Sequence, residues 1–97
     1  MQPMKRLEIV VDTLHLSRLL SRLREAGAPG YTVLPNASGF GGRGDQRADD
    51  PSGVSTNSII VLAVPLELAP KVIEATRTAL HKYGGVCMVS DCQWMEH

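Results

Sequence analysis

The sequence has few aromatic residues and no net charge. Aromatic side chains make up 4% of the chain, and ten basic residues balance ten acidic ones, so the formal charge is zero. A nucleic-acid-binding domain needs a basic surface, and recognition of single strands needs aromatic rings on which bases stack. These deficits argue against an RNA- or DNA-binding protein and against direct attraction to an anionic membrane.

Cysteines and long apolar runs are also scarce. Cys87 and Cys92 are the only cysteines, and their spacing fits neither a redox C-x-x-C motif nor a four-ligand zinc site, so we expect two reduced thiols. His15, His81 and His97 share no metal-ligand spacing and are predicted to lie on the surface or on a helix face. No apolar run approaches the roughly 20 residues that span a bilayer, and an acid interrupts any signal-peptide core, so we expect a cytoplasmic protein.

The apolar pattern predicts the element order β-α-β-loop-β-α-β. Strands are expected over 5–11, 31–34, 58–64 and 86–90. The first helix carries an apolar stripe and ends at Gly27, and the second begins near Pro70. The two stripes comprise Leu16, Leu19, Leu20 and Leu23, then Val72, Ile73, Thr76, Ala79 and Leu80. The order predicts one α+β domain over 1–97, a ferredoxin-like βαββαβ sandwich.

Two of the predicted strands are apolar on both faces. Residues 59–64 and 86–89 do not alternate between apolar and polar side chains. Two helices cover only one face of a four-stranded antiparallel sheet, so the other face should be polar if it met water. We therefore expect a homo-oligomer that covers the second face. Trp94, near the C-terminus, is expected to pack its ring on the body of the domain.

A polar, glycine-rich segment, 36–57, separates the two halves of the chain. We expect a long loop without regular structure, which in a compact domain is usually functional or ordered only on binding. Gly39, Gly41, Gly42 and Gly44 surround Arg43, so backbone N–H groups and a guanidinium could together bind phosphate or another small anion. The segment matches neither a Walker loop nor a dinucleotide-binding fingerprint, and a solvated linker would look similar.

The arrangement of these motifs resembles the PII signal-transduction superfamily over nearly the whole chain. The run from Gly27 to Val33, G-A-P-G-Y-T-V, leads into Gly39-Phe40-Gly41 and a long loop, and Gly84-Gly85 precedes the last strand. The G-A-x-G-Y-T-V form is closer to the PII-like proteins linked to bicarbonate transporters and carboxysomes than to the nitrogen regulators. The resemblance implies a homotrimer with adenine-nucleotide sites between subunits, and it makes 36–57 the T-loop that reports ligand state to a partner.

The resemblance also implies which residues form the site. Thr32 and Val33 would lie near adenine and ribose, the loop base near the phosphates, and Gly84 and Gly85 across the cleft. The implied nucleotide contacts are Thr32, Val33, Gly39, Phe40, Gly41, Gly42, Arg43, Ala63, Gly84, Gly85 and Val86. The implied bicarbonate contacts are Gly41, Gly42, Arg43 and Arg47. No metal, covalent cofactor or catalytic residue is implied.

Several cations of the nitrogen regulators are missing from this chain. Gly42-Arg43 replaces their Arg-Gln pair, Val86 replaces a lysine, and no arginine follows Arg77. The modifiable loop tyrosine is also absent. Each lost charge-assisted contact is worth about 1.5–3 kcal/mol, so we expect ADP or AMP to be favoured over ATP and no tight 2-oxoglutarate site. Cyclic AMP is a further candidate ligand.

The sequence thus favours a non-enzymatic sensor of adenine nucleotides, with bicarbonate as second effector. Its expected partner is a bicarbonate transporter or a carboxysome-related protein, so any membrane contact would be indirect. Three alternatives stay open. The first is a small hydrolase on the same fold, either acylphosphatase-like or acting slowly on ATP or ADP. The second is a classical nitrogen-regulatory PII protein, and the third is a structural or metal-tolerance trimer. The hydrolase would need a general base, and none is evident.

Overall fold

The computed structural model describes residues 1–41, 44–46 and 56–97. The elements follow one another in the order that the apolar pattern predicts, with an additional two-stranded ribbon. They are β1 (Gln2–Asp12), a 3-10 turn (Thr13–His15), α1 (Leu16–Glu25), β2 (Thr32–Ala37), β3 (Gly39–Gly41), β4 (Gly44–Gln46), β5 (Asn57–Pro65), α2 (Ala69–Tyr83) and β6 (Val86–Trp94).

Four strands form one antiparallel sheet in the order β2-β5-β1-β6. β1 pairs with β5 and β6 rather than with β2, the strand that follows it in the chain, whereas β2 and β5 are consecutive strands of this sheet and pair with each other. This is the strand order of the ferredoxin-like βαββαβ fold, so the predicted fold class is confirmed. Both outer strands, β2 and β6, have an unpaired edge within the described part of the chain.

The core lies between the sheet and the two helices. In β1 the side chains of Leu7, Ile9 and Val11 point towards the helices and are at most 1% exposed, as the period-two pattern requires. Each helix contributes the stripe that its sequence predicts. Other fully buried members include Leu19 and Leu23 of α1, Ile60 and Val64 of β5, and Val72 of α2.

The ends of the elements have local causes in the sequence. Asp12 accepts a hydrogen bond from the Leu14 backbone N–H at 2.9 Å and thereby caps the turn that precedes α1. Gly27 ends this helical segment with φ at +96°, a conformation that glycine adopts without strain. Gly84 and Gly85, with φ at +80° and +117°, reverse the chain between α2 and β6 as predicted.

All four strands of the main sheet run further than the sequence indicates, β5 by one residue at each end. β1 begins at Gln2 and β6 continues to Trp94, because Gln2–Lys5 and Asp91–Trp94 pair with each other in register. β2 was expected to stop at Pro35 but continues to Ala37, with Asn36 at φ +58° in an irregularity. An edge strand tolerates proline because its missing N–H faces away from the sheet.

The expected loop over 36–57 is shorter and partly regular. Asn36 belongs to β2 and Asn57 to β5, and Gly39–Gly41 pairs with Gly44–Gln46 as a second, two-stranded sheet. Thr56 is buried, and its carbonyl accepts a hydrogen bond from the Thr13 N–H at 3.1 Å. Residues 42, 43 and 47–55, which include most of the expected partner-reading arm, lie outside the described residues.

The face of the sheet opposite the helices is called the open face here. It carries large apolar side chains that are substantially exposed, including Leu34 (49%), Val86 (60%) and Met88 (58%). In register, Val86 lies opposite Val10, and Met88 lies opposite Glu8, which pairs with Arg6. The apolar open face that the sequence predicts is therefore present in the single chain.

Candidate ligand-binding site

A cavity of about 640 Å³ lies across one end of the open face. This volume falls within the range of small-molecule sites, roughly 300–1,000 Å³. The lining comes from all four strands of the main sheet, and from the segment that enters β2. The residues are Gln2, Met4, Arg6, Pro29, Gly30, Tyr31, Thr32, Val61, Leu62, Ala63, Pro65, Cys92, Trp94 and Glu96.

Two of the predicted nucleotide contacts, Thr32 and Ala63, line this cavity. They come from the adjacent strands β2 and β5, where Thr32 lies opposite Val61. Val33 is different, since its side chain packs against the hydrophobic core. Only its backbone is therefore placed to meet a ligand on the open face.

The predicted loop-base residues lie beyond the end of β2. Gly39, Phe40 and Gly41 form β3, and the Phe40 side chain is 86% exposed. None of the three lines the cavity. Gly42, Arg43 and Arg47, on which the anion site depends, lie outside the described residues, so their roles stay predictions.

Gly84, Gly85 and Val86 lie far from Thr32 within one chain. Val86 pairs with Val10 on β1 and starts β6, the edge strand opposite β2. Three strand spacings separate the two edges, or about 14 Å. One chain thus keeps these two groups of predicted contacts apart.

Trp94 is a cavity residue that the sequence did not indicate. Its indole N–H donates a hydrogen bond to Glu96 Oε1 at 2.8 Å, and the residue is 43% exposed. The ring therefore lies on the open face of the sheet and is only partly covered by the domain. The available signal was the alternation of Met88, Cys92 and Trp94, which places all three on one face of an extended strand.

The charged groups that line the cavity are few. Arg6 provides a cation and Glu96 a carboxylate. The Arg6 Nη1 atom lies 3.5 Å from Glu8 Oε2, with both side chains partly exposed, so this pair contributes little to stability. The described lining is suited to an apolar base and a sugar more than to a run of phosphates.

His15 is half-buried, and so are both cysteines. The His15 ring stacks on Tyr83 with 4.9 Å between centroids, and His81 is exposed. Cys87 and Cys92 are both free thiols in β6. Over 1–41, 44–46 and 56–97, no group of histidine, cysteine or acidic side chains could hold a metal ion. Within the same ranges, no helix is long and apolar enough to cross a membrane.

Cys87 should react slowly with thiol reagents at neutral pH. Burial raises the pKa of its thiol, and the Glu8 backbone hydrogen bond only partly offsets this. Since the thiolate is the reactive form, a raised pKa leaves less of it at neutral pH than in an unfolded chain. In a Cys92→Ser variant, the alkylation rate should be lower in the native protein than in urea and should rise with pH. Equal rates in both states would contradict this assignment.

Comparison with known proteins agrees with the fold and the motifs. The family model described as nitrogen regulatory protein P-II matches residues 4–96. The chain belongs to the P-II family. No curated protein matches this P-II protein significantly. The resemblance read from the sequence motifs is thus confirmed.

Solved structures place this P-II protein near the PII-like group. It is 31% identical to CPII of Thiomonas intermedia bound to ADP, AMP and bicarbonate, covering 95% of this chain and 88% of that one with a TM-score of 0.83. A CPII structure with ADP and bicarbonate is 32% identical over the same shares, with a TM-score of 0.81. A putative PII-like signaling protein from Thermus thermophilus is 26% identical, with a TM-score of 0.76 over 94% and 88%.

Proposed function

We propose that this P-II protein is a non-enzymatic sensor that binds ADP or AMP together with bicarbonate. The observation that carries this proposal is the likeness to CPII, which has been solved with ADP, AMP and bicarbonate. The cavity supports it, since Thr32 and Ala63 line a space of suitable size and apolar character. The base and ribose would lie there, against β2 and β5.

The site is completed by a neighbouring subunit in this proposal. Within one chain, Gly84 and Gly85 lie at the opposite edge of the sheet from Thr32. In a ring of three protomers each subunit presents two different surfaces, so one edge of the sheet can meet the other edge of its neighbour. The same assembly would cover the apolar open face. A homotrimer therefore accounts for both observations.

Arg43 has the central role at the phosphates and at bicarbonate. Val86 replaces the lysine that the nitrogen regulators carry after the second pair of glycines, and no arginine follows Arg77. Arg6 is the only cation that lines the described cavity. A guanidinium binds phosphate or bicarbonate oxygens through paired N–H donors. Arg47, a few residues further on, is proposed as a second contact to the anion.

Signalling would follow from the state of the T-loop. A ligand shifts a conformational equilibrium only as far as it binds one state better than the other. ADP and bicarbonate held by Arg43 would favour one arrangement of the loop base, and the remainder of the loop would contact a bicarbonate transporter or a carboxysome-related protein. We propose that this signalling takes place in the cytoplasm and needs no chemical step.

Arg43→Ala should weaken ADP binding about ten- to hundredfold, because it removes a charge-assisted contact of roughly 1.5–3 kcal/mol. Isothermal titration calorimetry measures the change. Arg77→Ala is the matched control, since Arg77 is exposed on α2 and pairs with Glu74, 3.3 Å away. Equal ADP affinity for wild type and Arg43→Ala would remove the phosphate assignment.

Bicarbonate should raise the affinity of the wild-type protein for ADP, and the same titrations test this. Binding linkage requires that ADP raise the affinity for bicarbonate by the same factor. The Arg43→Ala variant should lose this coupling. An ADP affinity that does not change with bicarbonate would exclude the second effector. Phosphate release from ATP or ADP above background would favour the hydrolase alternative instead.

A further inference from the structure

Three cations from the two helices surround one phenol at the end of the helical layer. Arg18 and Arg22 lie one turn apart on α1, and Lys82 lies in the last turn of α2. The Arg22 Cζ atom lies 6.0 Å and the Lys82 Nζ atom 5.5 Å from the centre of the Tyr83 ring. We call Arg18, Arg22 and Lys82 the cationic cluster.

The cationic cluster changes the ionisation of the Tyr83 phenol. A hydrogen bond from Arg22, with smaller contributions from Lys82 and Arg18, lowers the pKa of the Tyr83 phenol. The stacked His15 ring fixes the position of the phenol. The pKa of Tyr83 therefore reports the positive electrostatic potential at this surface.

The cationic cluster has no carboxylate partner among the described residues. The ion pairs between those residues are Lys5–Asp91, Arg6–Glu8 and Arg77–Glu74. Asp12 is the acid nearest to His15 in sequence, and its side chain caps the turn through the Leu14 N–H. In a chain with zero formal charge, three cations in one place without a described carboxylate form a local excess of positive charge.

This surface lies at the end of the domain from which the T-loop leaves. β2 ends there, β5 begins there, and Asp12 at the end of β1 lies opposite Asn57. The turn that carries His15 is bonded to the point where the T-loop returns to β5, since the Thr13 hydroxyl lies 2.9 Å from the Ser58 hydroxyl and the Thr13 N–H donates to the Thr56 carbonyl. Through the stacked His15 and Tyr83 rings, this turn links the cationic cluster to the end of the T-loop.

We propose that the cationic cluster is a docking surface for an acidic segment of a partner protein. The inference rests on the proposed function, in which the adjacent T-loop contacts that partner. Charge complementarity selects the occupant, because guanidinium and ammonium groups from two helices can bind several carboxylates along one extended segment. The T-loop would then report ligand state while the cluster holds the partner in place.

A labelled oligoglutamate peptide is the direct probe, measured by fluorescence anisotropy on the intact protein. We expect saturable binding at low ionic strength that weakens as salt is added. An Arg18→Glu/Arg22→Glu variant should bind the peptide about tenfold more weakly or worse. A Lys71→Glu/Arg77→Glu variant changes the net charge by the same amount on exposed positions of α2, and it should bind the peptide nearly as wild type does.

The pKa of the Tyr83 phenol is a second measurement. It should change on addition of the peptide only if the peptide binds at the cationic cluster, and not if these cations have a purely structural role. In a Tyr31→Phe background it is the only remaining tyrosine, so phenolate absorbance reports on it alone. Bound carboxylates would offset the positive potential, and the peptide should therefore raise the pKa of this phenol. A glutamine peptide of the same length should leave it unchanged.

The outcomes separate this inference from the proposed function. No peptide binding by the wild-type protein, or equal losses in the two double variants, would overturn the docking surface. Binding to phosphatidylserine vesicles without binding to the peptide would also overturn it, in favour of a membrane. The Arg18→Glu/Arg22→Glu variant should keep its ADP affinity by calorimetry. Absence of ADP binding in the wild type would instead refute the proposed nucleotide sensor.

Discussion

Replacing Gly85 with alanine should lower the free energy of unfolding by about 3 kcal/mol or more. A Cβ atom at this position would lie 2.6 Å from the Val10 carbonyl oxygen and 3.0 Å from Leu80 Cδ2. The first contact is with the backbone of the central strand β1, which cannot move without disturbing its pairing. The φ angle of +117° adds strain for any residue with a side chain.

Urea unfolding at a fixed protomer concentration measures this loss, because assembly couples stability to concentration. Gly30→Ala is the matched control: no atom lies within 4 Å of its added Cβ, and its φ is not in the left-handed region. Its stability should change by less than about 1 kcal/mol. If Gly85→Ala kept full stability and lost only ADP binding, the steric role of Gly85 at the sheet would be refuted and only the ligand role would survive.

Local signals in the sequence predict most of the fold. β5 and α2 follow from apolar runs of the right period, and Pro70 and Gly84 mark the helix ends as capping rules require. These features depend on residues close in sequence. The strand order follows next, because two βαβ units with short connections have few ways to pair without crossing.

Strand ends were predicted less well, for a reason visible in β6. Asp91 and Gln93 break the apolar pattern, so the sequence suggests an end at Ser90. In the structure this segment pairs with Gln2–Lys5, and Asp91 forms an ion pair with Lys5. The length of a strand is set by the partner that it meets across the sheet, and that partner is distant in sequence.

The candidate site shows the same limit. Thr32 and Ala63 were placed at the ligand by resemblance, and both line the cavity. Trp94 also lines the cavity because β6 extends to the same end of the sheet. No local sequence pattern predicts that extension. The role of Arg43 rests on the family resemblance and on the cations missing elsewhere, and the calorimetric experiment with Arg43→Ala is its test.

Replacing Met88 with lysine should abolish assembly while the protomer stays folded. Met88 is 58% exposed on the open face, so within one chain a lysine would reach water and would lie opposite Glu8. In a trimer that covers this face the same charge would lose its hydration. Glu8 already pairs with Arg6 and therefore compensates the new lysine charge only weakly. Burying this charge should make assembly less favourable by several kcal/mol per protomer.

Sedimentation velocity distinguishes the trimer from the protomer, and circular dichroism reports whether the protomer keeps its fold. ADP binding should fall together with assembly, because in the proposed site Thr32 and Gly85 would reach one ligand only when two subunits meet. Leu14→Lys provides the comparison, since Leu14 is 66% exposed in the turn before α1, away from the open face. If the Met88→Lys protein formed an assembly of the same mass as the wild type, this part of the open face would stay in contact with solvent. The contact between subunits would then have to lie elsewhere on that face.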